Sequence, residues 1–149
     1  MLSQKAKYAL KAMIALADQD RGKILQAADI AERQNIPRKF LELILLELRK
    51  HGLVDSHRGK NGGYSLAKPA DSVTFGQIIR IMDGPLAPIP CASLTGYRRC
   101  VDCQDEKACA IRRAMREVRD AAADILDGLT LDVACRPGSA SVDALLGTR

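Results

Sequence analysis

Tryptophan is absent from this chain of 149 residues, and Phe and Tyr together make up only 3% of it. Any core must therefore be aliphatic, and 47% apolar content is enough to build one. No apolar run approaches the roughly 18 residues of a membrane-spanning helix. The first residues, Met1-Leu2-Ser3-Gln4-Lys5, contain no apolar signal core, so the expectation is a cytoplasmic protein. Histidine is scarce, and His51 and His57 stand alone in loop-like surroundings. No nucleophile–base pair, phosphate-binding loop or metal-hydrolase motif is present, which weighs against an enzyme. Internal repeats are also lacking.

The net charge of +5 is unevenly placed. Residues 1 to 83 carry 14 Lys/Arg against 9 Asp/Glu, and residues 84 to 149 carry 9 of each. The whole positive excess lies in the first half, as expected of a nucleic-acid-binding face. That half also contains Arg58-Gly59-Lys60-Asn61-Gly62-Gly63-Tyr64, flanked by short apolar-rich runs. Glycine and Asn allow the positive dihedrals of a tight turn. Arg58, Lys60 and Asn61 then form the tip of a basic hairpin, with Arg58 and Lys60 able to reach a phosphate or a minor groove.

Helical periodicity precedes this hairpin. Residues 3 to 19 predict a first helix, with Ser3 as its cap and Ala6, Ala9/Leu10, Met13/Ile14 and Ala17 repeating at helical spacing. Residues 26 to 34 predict a short second helix. After the turn Gln34-Asn35-Ile36-Pro37, a third runs to about Lys50 with Leu41, Ile44, Leu45 and Leu48 as its buried stripe. Pro37 suits the first turn of that helix. Two helices joined by so short a turn form a helix-turn-helix, and a basic hairpin behind it makes a winged helix. The first turn of the recognition helix presents Arg38, Lys39 and Glu42 away from the leucines. Arg38 and Lys39 suit phosphate or guanine, and Glu42 suits the amino group of cytosine. Lys5, Lys7 and Lys11 are further candidates for the DNA backbone. Thr74 is expected to cap another helix through Met82.

The second half reads differently. Pro85 to Cys103 has no period and is taken as a loop. A long helix is expected from about Glu106, with Ile111, Met115, Val118, Ala122, Ile125 and Leu129 recurring every three or four residues. A small reader domain cannot cover so long a stripe, so a homodimer seam is expected. The fold class is thus mainly α: a winged helix-turn-helix domain (1–83) with a small two-stranded wing, a cysteine-containing sensor loop (84–105), a dimerisation helix (106–130) and a flexible tail (131–149).

Cys91, Cys100, Cys103 and Cys109 cluster around the loop, and Cys135 stands apart. Thiolates suit an iron–sulfur cluster or zinc. The spacing of Cys100 and Cys103 has the reach to hold one metal, and Cys109 falls at the start of the long helix, where unpaired N–H groups favour a thiolate. A metal-free thiol switch is the alternative. A thiol–disulfide oxidoreductase using Cys100 and Cys103 is a distant one, because the strand–helix–strand setting of such enzymes is not visible.

The chain resembles the IscR-type (Rrf-two) family of winged-helix transcription regulators, which includes iron–sulfur, nitric-oxide and iron sensors. The resemblance is carried by Leu2-Ser3-Gln4-Lys5-Ala6-Lys7-Tyr8-Ala9-Leu10, Ile30-Ala31-Glu32-Arg33-Gln34, Leu48-Arg49-Lys50-His51-Gly52-Leu53-Val54, Arg58-Gly59 and Gly62-Gly63-Tyr64. It implies a homodimer joined by the long C-terminal helix, a double-stranded DNA operator, Glu42 on a base and Arg58 in the minor groove. It also points to a cofactor, a 2Fe-2S or 4Fe-4S cluster, although some members bind no metal; zinc stays the alternative that the thiols themselves allow, and a repressor is the expectation. The family's common loop pattern, Cys-x5-Cys-x5-Cys, is kept only between Cys103 and Cys109. Cys100 is additional, and Arg112 stands where one branch has His. Where other branches take a ligand from the first helix, this chain offers Tyr8 and Lys11. The residue types still favour an all-cysteine site of Cys91, Cys100, Cys103 and Cys109.

Overall fold

The structure, a computed structural model, describes residues 2–20 and 22–136. Helix α1 spans Gln4–Ala17, α2 Ala27–Gln34 and α3 Arg38–Lys50. Strands β1 (Val54–His57) and β2 (Gly63–Leu66) follow, then helices α4 (Phe75–Asp83), α5 (Ala110–Gly128) and α6 (Leu131–Cys135). Single 3-10 turns occur at Ala70–Ser72 and Pro90–Ala92.

The helix boundaries follow from local chemistry. The Ser3 side chain accepts the Ala6 N–H at the start of α1, and Ser3 N–H donates to Asp83 at the end of α4 over 2.9 Å. One cap thus also ties the two helices together. Asn35 ends α2 in the left-handed conformation (φ +53°), which Asn tolerates better than most residues. That bend buries Ile36 and turns the chain into α3. Pro37 caps α3 from just outside it rather than from its first turn. Thr74 and Gln77 form a reciprocal capping box at α4, satisfying two otherwise unpaired backbone donors.

Leu41, Ile44, Leu45 and Leu48 of α3 are fully buried with Met13 of α1, Ile30 of α2 and Ile78 of α4. Each such aliphatic side chain contributes about 1.5–3 kcal/mol on burial, enough to hold a core without tryptophan. Tyr8 and Phe40 add an edge-to-face contact between α1 and α3, with centroids 5.5 Å apart. The wing pairs antiparallel, Val54 opposite Leu66 and His57 opposite Gly63. Leu25 and Tyr64 exchange backbone hydrogen bonds of 2.9 and 2.7 Å, anchoring the wing to the segment before α2. A Cβ on Gly63 would lie 2.3 Å from the Leu25 carbonyl oxygen, so this contact requires glycine.

The C-terminal elements return to the reader. Thr130 bridges Thr74, Leu131 N–H donates to the Val73 carbonyl over 2.9 Å, and the Leu131 side chain is fully buried. Residues 131–135, read from sequence as the beginning of a tail, therefore form α6 and join the core; the Thr130 side chain caps it. The remainder of that expected tail, residues 137–149, lies outside the described residues. Helix α5 begins four residues later than its expected start at Glu106. Asp105 accepts the N–H groups of Lys107 and Ala108 in a local turn, and Cys109 becomes the cap.

Candidate nucleic-acid interface and cysteine site

Two groups of polar side chains stand out, and they lie on different elements. On α3, Arg38, Lys39 and Glu42 are exposed, as are Arg49 and Lys50 near its other end. Arg38 Nε donates to Glu42 Oε1 at 3.2 Å, one helical turn away. Both side chains are well solvated, so the pair adds little to stability and is free to exchange for another partner. Arg58, Lys60 and Asn61 are all exposed in the five-residue turn between β1 and β2. The turn is compact because Gly62 packs against backbone: a Cβ there would lie 2.3 Å from the His57 carbonyl oxygen. His57 is not an idle loop residue. It sits in β1 and shares a 2.8 Å hydrogen bond with Ser65 Oγ across the wing.

Two of the three α1 lysines considered as backbone contacts are engaged elsewhere. Lys5 pairs with Glu47 of α3 at 2.5 Å, and Lys11 donates to the Gln34 carbonyl at the end of α2. Lys7 stays exposed. Sequence periodicity places these residues on a helix but says nothing of which neighbour each meets.

The four clustered cysteines line one surface cleft of about 450 Å³, with Ile89, Arg112 and others. Cys91 is buried in the 3-10 turn, Cys100 is exposed, and Cys103 and Cys109 are partly covered. Cys100 Sγ lies 3.6 Å from Cys91 Sγ. Thus Cys100 is paired with Cys91, not with Cys103 as its spacing suggested. The hydrogen bond to Cys91, then desolvation and neighbouring acidic groups, pushes the Cys100 thiol above its ordinary value. Cys109 caps α5, its sulfur accepting the Arg112 N–H at 3.4 Å. Cys135 is remote from this cleft: it lies in α6 with its thiol toward the Ile14 carbonyl, and burial raises its pKa.

The donor chemistry fits a thiophilic metal centre. Two sulfurs held at about 2.3 Å from one tetrahedral ion lie roughly 3.8 Å apart, close to the Cys91–Cys100 separation. The match stops at that pair. Among the described residues, no three His, Cys, Asp or Glu side chains are gathered into a metal-holding group.

Two arginines, neither read from sequence as an anchor, connect the cleft to α5. Arg112 Nε donates to the Cys91 carbonyl at 2.9 Å, and Arg119, one heptad on, donates to the Ala92 carbonyl. Arg119 is the one buried residue of α5, and its charge is paired with Asp120 at 2.6 Å. At the far end of α5, Arg80 and Asp127 form a two-pronged ion pair of 2.6 and 2.9 Å with α4. Arg80 holds the Asp127 carboxyl below the usual carboxylate range. The cysteine cleft, α5 and the reader are thus joined in series by side-chain contacts.

A helix-turn-helix followed by a basic two-stranded wing defines a winged-helix DNA-binding protein. Residues 2–137 match the family model Rrf2, described as "Iron-dependent Transcriptional regulator". The chain belongs to the Rrf2 family of transcription regulators. It is 47% identical over 135 residues to an rrf2-like protein of Rhodobacter capsulatus, covering 89% of this chain and 90% of the relative. It is 35% identical over 131 residues to the HTH-type transcriptional regulator IscR of Pectobacterium carotovorum, covering 88% and 76%. Among solved structures, CymR, the global cysteine regulator of B. subtilis, superposes with a TM-score of 0.76 at 33% identity, covering 91% of this chain and 95% of that one. IscR of T. potens superposes with a TM-score of 0.70 at 29% identity, covering 90% and 85%. These relatives are regulators of transcription and not enzymes. The sequence readings of family, winged-helix fold and regulator class agree with them. No described helix is long and apolar enough to cross a membrane.

Proposed function

We propose that this chain is a homodimeric repressor whose operator affinity is set by an iron–sulfur cluster held by Cys91, Cys100, Cys103 and Cys109. The observation that carries this reading is the convergence of those four thiols on one cleft at the foot of α5. Such a cluster supplies thiolate-bound iron that gains or loses electrons and is dismantled by oxidants. The chain's own contribution is mechanical. Arg112 and Arg119 fix the Cys91–Ala92 turn to α5, and Arg80 with Asp127 fixes α5 to α4. A rearrangement of the cysteine loop is therefore transmitted along α5 toward the reader.

Support for the dimer comes from α5 itself. Ile111, Val118 and Ile125 are 68%, 50% and 38% exposed on one stripe. A second copy of this helix is the partner that covers them, and it sets the distance between two recognition helices. In each reader, Lys39 and Glu42 address base edges. Arg38 turns from Glu42 to phosphate, and Arg58, Lys60 and Asn61 of the wing follow the neighbouring backbone or minor groove.

The test is purification without oxygen, with visible absorption, iron, sulfide and zinc measured together. Matched iron and sulfide with a brown colour support the cluster. A colourless protein with one zinc per chain replaces it with a structural site. Cys103→Ala is expected to remove the colour and change operator affinity; unchanged colour would remove Cys103 from the ligand set.

One observation favours a second reading, a metal-free thiol switch. Cys91 and Cys100 are already in sulfur–sulfur contact. A peroxide would join them as a disulfide, the two thiols giving up two protons and two electrons while the peroxide is reduced to water and an alcohol or second water. Metal-free protein whose operator affinity changes with peroxide and recovers with dithiothreitol would support it.

A further inference from the structure

The outer face of α3 carries an anomaly for a helix meant to lie against a polyanion. Leu43 is 63% exposed and Leu46 is 43% exposed. Single exposed leucines are ordinary. These two are adjacent on one ridge, opposite the fully buried Leu41, Ile44, Leu45 and Leu48. At helical spacing the ridge reads Lys39, Leu43, Leu46, Lys50, each three or four residues from the next. Lysine closes it at both ends, and Glu42 flanks it. The two leucines thus occupy the middle of the face that cations bracket. They are neither on the α5 stripe nor among the residues lining the cysteine cleft.

We infer that Leu43 and Leu46 are specificity-determining residues that read thymine through its C5-methyl group. The inference rests on the DNA-binding reading of α3 and goes beyond the roles given to Arg38, Lys39 and Glu42. A helix laid in the major groove brings its outermost ridge nearest the base edges. Leucine there can neither donate nor accept a hydrogen bond. The apolar group that the major groove displays is the thymine methyl. Lys39 and Lys50 on the same ridge, with Arg58 and Lys60 on the wing, select a polyanion over an apolar protein partner for this face. Leucine over cytosine or adenine would instead cover a polar edge without pairing it, which makes the same residues discriminate against those bases.

The experiment begins with selection of a bound duplex from a random pool by the full-length protein. Each thymine of the selected site is then replaced in turn by uracil, which removes the methyl group and leaves base pairing unchanged. Binding is measured by fluorescence anisotropy at fixed salt. Loss of a methyl contact is expected to weaken binding roughly fourfold per half-site at one or two thymines. In Leu43→Ala or Leu46→Ala the same replacement should have no effect at the thymine that residue covers. Both side chains are exposed, so the variants should fold; an unchanged melting temperature checks this. A selected operator indifferent to uracil at every thymine would overturn the leucine assignment and leave the DNA-binding reading standing. Equal methyl sensitivity in both variants and the parent would overturn it as well. Failure to select any duplex would overturn both.

Discussion

Helices α3 and α5 are both amphipathic, but they resolve their apolar faces in opposite ways. Four aliphatic side chains of α3 are fully buried within one chain, while α5, nineteen residues long, buries only Arg119. The first helix is thereby a rigid platform for side chains on its outer face. The second is held to its own chain at separate points, by Arg112 and Arg119 at the cysteine turn and by Asp127 at α4, and leaves Ile111, Val118 and Ile125 of its stripe exposed. A regulator needs this division of labour. On the proposed reading, α3 holds the reading face fixed, while α5, as the spacer of two readers, responds to the loop beside it.

The contrast can be broken most severely from the α3 side. Leu45→Ala should cost the folded chain about 2–5 kcal/mol, since a fully buried leucine leaves a cavity. Ile111→Ala on α5 should leave the stability of an isolated subunit within about 0.5 kcal/mol. Urea unfolding of both variants, compared at low protein concentration, checks this; equal losses would mean that the α5 stripe is covered within the chain.

Next in size is the effect of a charge on the stripe. Val118→Asp is expected to raise the dimer dissociation constant by well over tenfold, because the seam would hold two unpaired carboxylates. Sedimentation velocity reports this directly, and an unchanged association state would place the seam elsewhere.

Glu42→Ala sharpens the comparison on the reading side. It should weaken operator binding by about 1–3 kcal/mol and relax the preference at one base pair without changing the melting temperature. Were Glu42 only a solvated partner of Arg38, removing its negative charge would leave DNA affinity the same or raise it.

The smallest effect concerns the tie between the regions. Arg80 lowers the folded pKa of Asp127 below its unfolded value. Its stabilisation is therefore complete above the ordinary carboxylate range and is lost as pH falls through the lowered folded value. Both side chains are more than one-third exposed, so screening limits Asp127→Asn to under about 1 kcal/mol. The difference between parent and variant should vanish in acid. A difference that persists at low pH would assign the effect to packing instead.

The recognition helix, the wing and the α4 cap were legible because each is specified locally. Leucine spacing, a glycine-rich basic turn, and Thr74 with Gln77 act over a few residues. Helix α6 escaped notice because a five-residue segment has too few turns to show a period, and its helix is stabilised by burial of Leu131 in a core built far away in sequence. The cysteine site was half legible. Residue type announced thiol chemistry, but spacing along the chain suggested Cys100 with Cys103. The 3-10 turn at Pro90–Ala92 instead carries Cys91 to Cys100 across eight intervening residues. Arg112 and Arg119 were invisible as anchors because a cation on a helix looks like a solvated one until its acceptor is placed.

The sequence by itself determined that this chain reads DNA with a winged helix and carries a cluster of thiols, because composition, helical period and turn chemistry act at short range. Only the tertiary structure decided which cysteines meet and that the C-terminus of α5 is pinned to α4. Those outcomes depend on which surfaces pack against one another, and packing between distant segments leaves no local pattern in the chain.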